Sequence, residues 1–128
     1  MINWFKKITA KGIEESEFNA EGEFKFLLKI QDLIIGYLSF NNGDWEFQYS
    51  EEFKNQKKYT RITGFSDLNK VYKSKILWPF FKIRIPGIKQ PMIIEIIEAE
   101  KLDPKNEAIL LRRFGKKTMS NPYILEKV

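Results

Sequence analysis

The stretch FKFLLKIQDLIIGYLSFNNGDWEFQY, residues Phe24–Tyr49, decides the fold. Apolar residues hold every second position of Phe24–Ile30, with lysines at two of the three positions between them, which is the period of a strand with one buried face. Gln31-Asp32 interrupts this pattern, and Asn42-Gly43 is a hairpin signal because both residues tolerate positive φ. The stretch therefore predicts three antiparallel strands joined by two tight turns, with Gly36 at a bulge or a close backbone approach.

The composition is that of a globular domain. The chain has 128 residues, of which 43% are hydrophobic and 15% aromatic, enough for a real core. It contains no Cys and no His, so a disulfide framework and the commonest general base and metal ligand are absent. With no apolar run as long as a membrane span and no signal-peptide pattern, we expect a cytoplasmic protein without a membrane span.

The net charge of +5 is distributed unevenly. Residues 1–52 carry five basic and ten acidic residues, whereas residues 53–90 carry ten basic residues and one acidic residue, or +9. Residues 91–128 are close to neutral at +1. The middle block indicates either a basic face that meets an acidic protein or a phosphate backbone, or an ordinary solvated lysine surface.

The sequence predicts one domain over residues 23–128, preceded by a helix and acidic linker over residues 1–22. After the three strands it predicts a helical turn capped by Ser50, a fourth strand over Lys57–Phe65 and a polar surface loop over Ser66–Lys75. The segment Ile76–Pro86 reads as buried, with Leu77 and Phe80 in the core, and Pro79 suits the first turn of a short helix.

Two helices and a short final strand complete the prediction. Pro91 begins a helix through about Leu102 whose buried stripe is Ile93, Ile96 and Ile97. Asp103 and Pro104 begin a second helix, which buries Leu110, Leu111 and Phe114 and ends at Gly115. Tyr123–Leu125 returns as a strand. The fold class is α+β: a twisted antiparallel sheet of four to six strands, open or partly closed into a barrel, packed against a C-terminal helix pair.

No pattern in the sequence indicates catalysis. We find no Gly-rich phosphate loop, no nucleophile elbow and no cluster with metal-ligand spacing. Serines and threonines lack the histidine that would activate them, and Glu95, Glu98 and Lys101 read as helix-surface charges. We therefore expect a protein with no enzymatic activity and no cofactor. The aromatic residues of the basic block are either core residues or a stacking platform for nucleic-acid bases.

Several short motifs, in their order and spacing, resemble the N-terminal domain of HipA-type kinases. The family has a G-x-L strand, a short turn, a W/R-F-x-Y strand, an L-F-P-F-F segment and a helix ending in F/L-G-R/K. The matching residues are Gly36–Leu38, Asn42-Gly43, Trp45–Tyr49, Arg61–Phe65, Tyr72, Ser74, Leu77–Phe81 and Arg113–Lys116. The chain departs from the family at Lys82–Gly87, where the family commonly has N-L-L-P-E-G.

The resemblance implies a regulatory module rather than a kinase, because no residues here resemble the nucleotide loop or catalytic aspartate of the kinase body. Some toxin–antitoxin systems encode this module separately as a HipS-like antitoxin that binds its kinase. The implied partners are a HipA-like kinase and a HipB-like DNA-binding protein in the same complex. We expect the contact to involve Tyr72, Lys73, Trp78 and Arg84, although Trp78 fits the core equally well.

Two other functions are compatible with the sequence. Residues 53–90 would suit a basic nucleic-acid-binding domain, or a module with weak, salt-sensitive binding to DNA or RNA. The N-terminal helix would suit a membrane-peripheral adaptor.

Overall fold

The computed structural model describes residues 23–128, so the expected helix and linker over residues 1–22 lie outside the described residues. Its elements in chain order are β1 (Glu23–Ile30), β2 (Leu33–Asn41), β3 (Asp44–Tyr49), α1 (Glu51–Lys54), β4 (Tyr72–Ser74), α2 (Pro79–Lys82), α3 (Pro91–Ala99), α4 (Glu107–Phe114) and β5 (Ile124–Lys127). All neighbouring strands are antiparallel, in the order β4-β3-β2-β1-β5. The α+β class and the antiparallel sheet are confirmed, and the sheet is open rather than a barrel.

The β1–β2–β3 meander follows the prediction closely. Strands β1 and β3 alternate between half-buried and buried positions. Asn42 and Gly43 take φ values of 55° and 84°, the positive values that a two-residue hairpin needs. The register between β1 and β2 shifts after Leu28, which leaves Ile35 as the extra residue of a bulge.

The residue beside this bulge, Gly36, has no room for a side chain. A Cβ at this position would lie 2.6 Å from the carbonyl oxygen of Gln48 and 2.7 Å from the ring of Phe47. The close backbone approach predicted for Gly36 is therefore confirmed.

The predicted strand over Lys57–Phe65 is wrong. This segment is a loop whose backbone is bound by the side chains beneath it. The hydroxyl of Tyr49 accepts a hydrogen bond from Ile62 N at 2.9 Å and donates one to the carbonyl oxygen of Phe65. Since these backbone groups are satisfied by a side chain, the segment needs no neighbouring strand. The fourth strand is β4 instead, within the segment predicted to be a surface loop.

The helix starts are confirmed in part. Ser50 caps α1 by accepting a hydrogen bond from Phe53 N, and Pro79 and Pro91 open α2 and α3 as predicted. The helix α3 ends at Ala99 instead of Leu102, since Lys101 has a φ of 56°. Asn106, rather than Asp103, caps α4. Asp103 caps only the turn that precedes α4: its Oδ1 accepts a hydrogen bond from Lys105 N at 2.9 Å.

One hydrophobic core underlies the sheet. Phe47 and Phe81 have no exposed surface, and their ring centroids lie 5.5 Å apart. Helix α4 adds Ala108 and Leu111 to this core, whereas α3 buries only Ile97. Leu77 is buried as predicted, but Phe80 is only partly buried against the core; the fully buried phenylalanine of that pair is Phe81. None of the helices in residues 23–128 is long and apolar enough to cross a bilayer.

Candidate protein-binding surface

Tyr72 and Trp78, two of the predicted contact residues, both pack against one buried ring. The centroid of Phe65 lies 4.9 Å from that of Tyr72 and 5.2 Å from that of Trp78, both in edge-to-face geometry. Both side chains remain half-buried, so each keeps some surface in contact with solvent. The Tyr72 hydroxyl accepts a hydrogen bond from Asp67 N at 2.8 Å, which holds the preceding loop against β4. Trp78 thus serves the core and the surface together.

Lys73, the third predicted contact residue, lies on β4 at one edge of the sheet. Its Nζ is 3.8 Å from a carboxylate oxygen of Glu46 on β3, and 68% of its side chain is exposed. The pair is a solvent-exposed cross-strand contact of the kind that contributes little to stability. Lys73 is therefore sterically available to another molecule.

Arg84 does not fit the predicted contact role, because only 3% of it is exposed. Its Nη1 donates to the carbonyl oxygens of Gly115 and Lys116, both at 3.1 Å. Its Nη2 donates to Asn121 Oδ1 at 3.1 Å and to the Tyr123 carbonyl oxygen at 2.8 Å. The guanidinium thus joins the segment after α2 to the connection between α4 and β5, and a partner has no access to it.

Burial without a carboxylate partner alters the chemistry of Arg84. Desolvation lowers its pKa to about 10, so the side chain still carries its positive charge at neutral pH. Its Nε is buried and has no hydrogen-bond acceptor among the described residues. Arg84 is therefore a buried positive charge held mainly by backbone carbonyl oxygens.

The structure exposes large apolar side chains that were not predicted from the sequence to be exposed. Within residues 23–128, seven large apolar side chains are exposed, and five of them fall between residues 76 and 94. We call residues 76–94 the apolar surface segment. Its exposed side chains, with their exposed fractions, are Ile76 (71%), Ile83 (55%), Ile88 (39%), Met92 (71%) and Ile94 (37%).

The sequence of α3 contains a pattern from which these exposed side chains could have been predicted. Five of the six residues 92–97 are apolar, and at 100° per residue Met92 and Ile94 lie about 200° apart around the helix. A stripe that packs on one core spans roughly 100°. An apolar arc of that width cannot be buried on one side, so Met92 and Ile94 extend beyond the buried stripe on either side of Ile97.

The basic block of residues 53–90 is less positive in three dimensions than in sequence. Four of its ten cations lie near carboxylates from other parts of the chain. The shortest of these contacts joins Lys75 Nζ to Asp44 Oδ1 at 2.8 Å, and Lys82 lies 3.2 Å from Glu107. Arg84 is buried in addition. About half of the positive charge is thus either balanced or withdrawn from the surface.

Metal-binding geometry is absent from the described part of the chain. Residues 23–128 contain no group of three or more His, Cys, Asp or Glu side chains that could hold a metal ion.

No protein-family model and no curated protein sequence matches this chain.

Proposed function

We propose that this chain is a non-enzymatic protein-binding module, an antitoxin or regulatory subunit that binds a HipA-like kinase. The observation that carries the proposal is the concentration of exposed apolar side chains in the apolar surface segment. Such a concentration in one segment makes it a candidate binding site, since contiguous apolar patches on soluble proteins commonly mark contacts with other molecules. The kinase as partner rests on the motif resemblance described above.

The apolar surface segment includes the stretch in which the chain differs from the HipA pattern. The segment contains Lys82–Gly87, where the chain departs from the HipA pattern, and exposed Ile83 lies within that stretch. A surface that selects one partner is expected to differ from its relatives at the contact residues. Half-buried Trp78 adds an aromatic side chain of the type that often dominates binding energy.

A basic nucleic-acid-binding domain built on residues 53–90 has less support, because four of its cations already have acidic neighbours. The membrane-peripheral alternative depends on residues 1–11, outside the described residues. In the proposed role the chain works in the cytoplasm beside its kinase, with a HipB-like DNA-binding protein as a further member of the complex.

The test is a binding titration between the purified chain and a HipA-like kinase from the same genome, by calorimetry at low and high salt. We expect tight binding that salt changes little, because buried apolar contacts carry affinity while rim charges mainly set the association rate. Met92→Asp should weaken binding by at least ~10-fold. The matched control is Met119→Asp, since Met119 is fully exposed outside the apolar surface segment.

Kinase assays complete the test. With ATP and magnesium, the chain alone should phosphorylate no substrate, and adding it to the kinase should change the rate of kinase autophosphorylation. Absence of binding to the kinase, or equal weakening by the two methionine variants, would contradict the proposal.

A further inference from the structure

A second surface, on α4 and β5, is distinct from the apolar surface segment in chemistry. It is an open groove of about 340 Å³, which we call the α4–β5 groove. Its lining is almost entirely charged: Arg112, Arg113, Lys116, Leu125, Glu126 and Lys127. Residues 91–128 have a net charge of only +1, so the charge of this block does not indicate a basic surface.

Ion pairing explains how a basic groove arises from a nearly neutral segment. Glu126, the one acidic side chain in the lining, lies 3.5 Å from Lys29 on β1. Arg113 is bound by both carboxylate oxygens of Glu100, at 2.8 and 3.0 Å. The remaining cations, Arg112, Lys116 and Lys127, have no carboxylate partner among residues 23–128.

Arg84 adds a fourth positive charge to this side of the molecule. Its Nη1 lies 3.1 Å from the carbonyl oxygen of Lys116, so the buried guanidinium is in direct contact with the backbone of a lining residue. No carboxylate is bound to it in the described chain. A charge buried in a low-dielectric interior is screened less than one in water, so it raises the positive potential of the adjacent groove.

Arg112 is positioned to bind an anion. Its guanidinium carbon lies 4.6 Å from the centroid of the Phe24 ring, a cation–π contact that restrains the side chain. It makes no hydrogen bond within the described chain, so its planar set of donors remains free for phosphate oxygens. Lys116 lies two residues after the end of α4, and Lys127 is the last residue of β5.

The rest of the lining narrows the choice of anion. An acidic protein partner would need apolar pockets for its main contacts, but the single apolar lining residue, Leu125, is only 3% exposed. Single-stranded nucleic acid would need exposed aromatic rings for stacking, and Phe24 is 5% exposed beneath Arg112. A groove with cations but without apolar pockets or exposed aromatic rings suits a regular phosphate backbone.

We infer that the α4–β5 groove binds the phosphodiester backbone of duplex nucleic acid without reading its bases, through Arg112, Lys116 and Lys127. This interaction is independent of the kinase contact: a variant that loses one can keep the other. Phosphate contacts of this kind supply sequence-independent affinity that depends strongly on salt. Both surfaces together would bring a bound partner protein close to nucleic acid.

The test is a fluorescence-anisotropy titration of the full chain with two 20-base-pair duplexes of unrelated sequence, between about 50 and 200 mM salt. We expect equal affinity for the two duplexes and weaker binding to either single strand. The variant R112Q/K116Q/K127Q should lower affinity by at least ~10-fold at the lowest salt, and should reduce the slope of log affinity against log salt by about 3.

The matched control is K57Q/R61Q/K89Q, which also removes one arginine and two lysines. These three side chains are exposed and have no acidic neighbour in the described chain, and they belong to the basic block of residues 53–90. The control should retain at least half of the affinity. A charge-preserving variant, K116R/K127R, should retain binding and shows that loss in the glutamine variant is not a packing defect.

Four outcomes would overturn the inference. They are absence of binding at the lowest salt, equal loss in the control and groove variants, a preference of more than about tenfold for one duplex, and displacement of the duplex by polyglutamate at equal charge concentration. Equal loss would indicate diffuse charge, and displacement by polyglutamate would indicate an acidic protein as the ligand.

Discussion

The meander of residues 24–49 and the segment of residues 76–99 have nearly the same apolar content but opposite burial. Each contains 14 apolar residues, in 26 and 24 positions respectively. Ten of the 14 are buried in the meander, against three in the later segment, namely Leu77, Phe81 and Ile97. The later segment exposes five large apolar side chains, and the meander exposes none.

The difference shows that apolar content predicts burial only when its period matches the element. In the strands, alternation directs apolar side chains to one face, and that face is covered by the core. In residues 76–99 the apolar side chains extend around short helices and turns, and a single core can cover only one side of them. The apolar side chains that the core leaves uncovered are the ones that we assign to a partner.

Paired truncations at Phe47 and Met92 test this comparison most strongly. Phe47→Ala should lower the free energy of unfolding by about 3–5 kcal/mol, because it opens a cavity in the centre of the core. Met92→Ala should change it by less than about 0.5 kcal/mol, since the side chain is 71% exposed. Urea denaturation of both variants provides the measurement. A loss of several kcal/mol for Met92→Ala would mean that α3 is covered in solution, and would contradict the difference in burial between the two regions.

Arg84→Met should have the next largest effect and shows what holds the later segment in place. The substitution removes four hydrogen bonds, although the Lys116 carbonyl oxygen and Asn121 Oδ1 each keep a second donor. We therefore expect a loss of about 2–3 kcal/mol in unfolding free energy, partly offset by removal of a buried charge. Lys82→Met is the control, because this lysine is exposed and only pairs with Glu107. Equal effects of the two substitutions in denaturant titrations would refute the structural role of Arg84.

Tyr49→Phe tests the hydrogen bonds through which a side chain of the meander holds the loop that follows it. Loss of its two hydrogen bonds should cost about 1–2 kcal/mol at neutral pH. Burial raises the pKa of Tyr49 to about 12 from its ordinary 10. Between pH 10 and 12 the hydroxyl therefore ionises in the unfolded chain but not in the folded one, and its contribution to stability falls.

The measurement is the difference in unfolding free energy between the unsubstituted chain and Tyr49→Phe across that pH range. The difference should be constant below pH 10 and should decrease as the pH rises to about 12. Titration of Arg84 acts in the opposite direction, but it is common to both proteins and cancels. A difference that does not change with pH would mean that this hydroxyl is accessible to water.

Most of the fold could be predicted because it depends on local patterns. Alternation, Asn42-Gly43, the Ser50 cap and Pro91 each report on residues a few positions away. The false strand over Lys57–Phe65 arose because the backbone groups of Ile62 and Phe65 bind the Tyr49 hydroxyl instead of a neighbouring strand, which no alternation encodes. The true fourth strand escaped because three polar residues at a sheet edge have no period to detect.

The candidate surface was harder to predict, since it depends on what the rest of the chain covers. Tyr72, Lys73 and Trp78 proved accessible, but Arg84 did not, because its acceptors lie 31 to 39 residues away in sequence. The same limit applied to charge. Pairing of Lys73 and Lys75 with β3, and of Arg113 with Glu100, is a property of the folded chain that counting by sequence blocks cannot give.

The pairing of β1 with β5 also has consequences for how the chain folds. Lys29 and Glu126, which meet across this pair, are 97 residues apart in sequence, whereas the meander strands are joined by two-residue turns. Closing so long a loop costs more entropy than closing a hairpin, so the meander is expected to form first and β5 to join late. Until then the outer edge of β1 would present unpaired backbone groups beside apolar Phe26 and Leu28. That intermediate would be the state of this protein most prone to aggregation, and variants that weaken β5 are expected to reduce soluble yield before they alter binding.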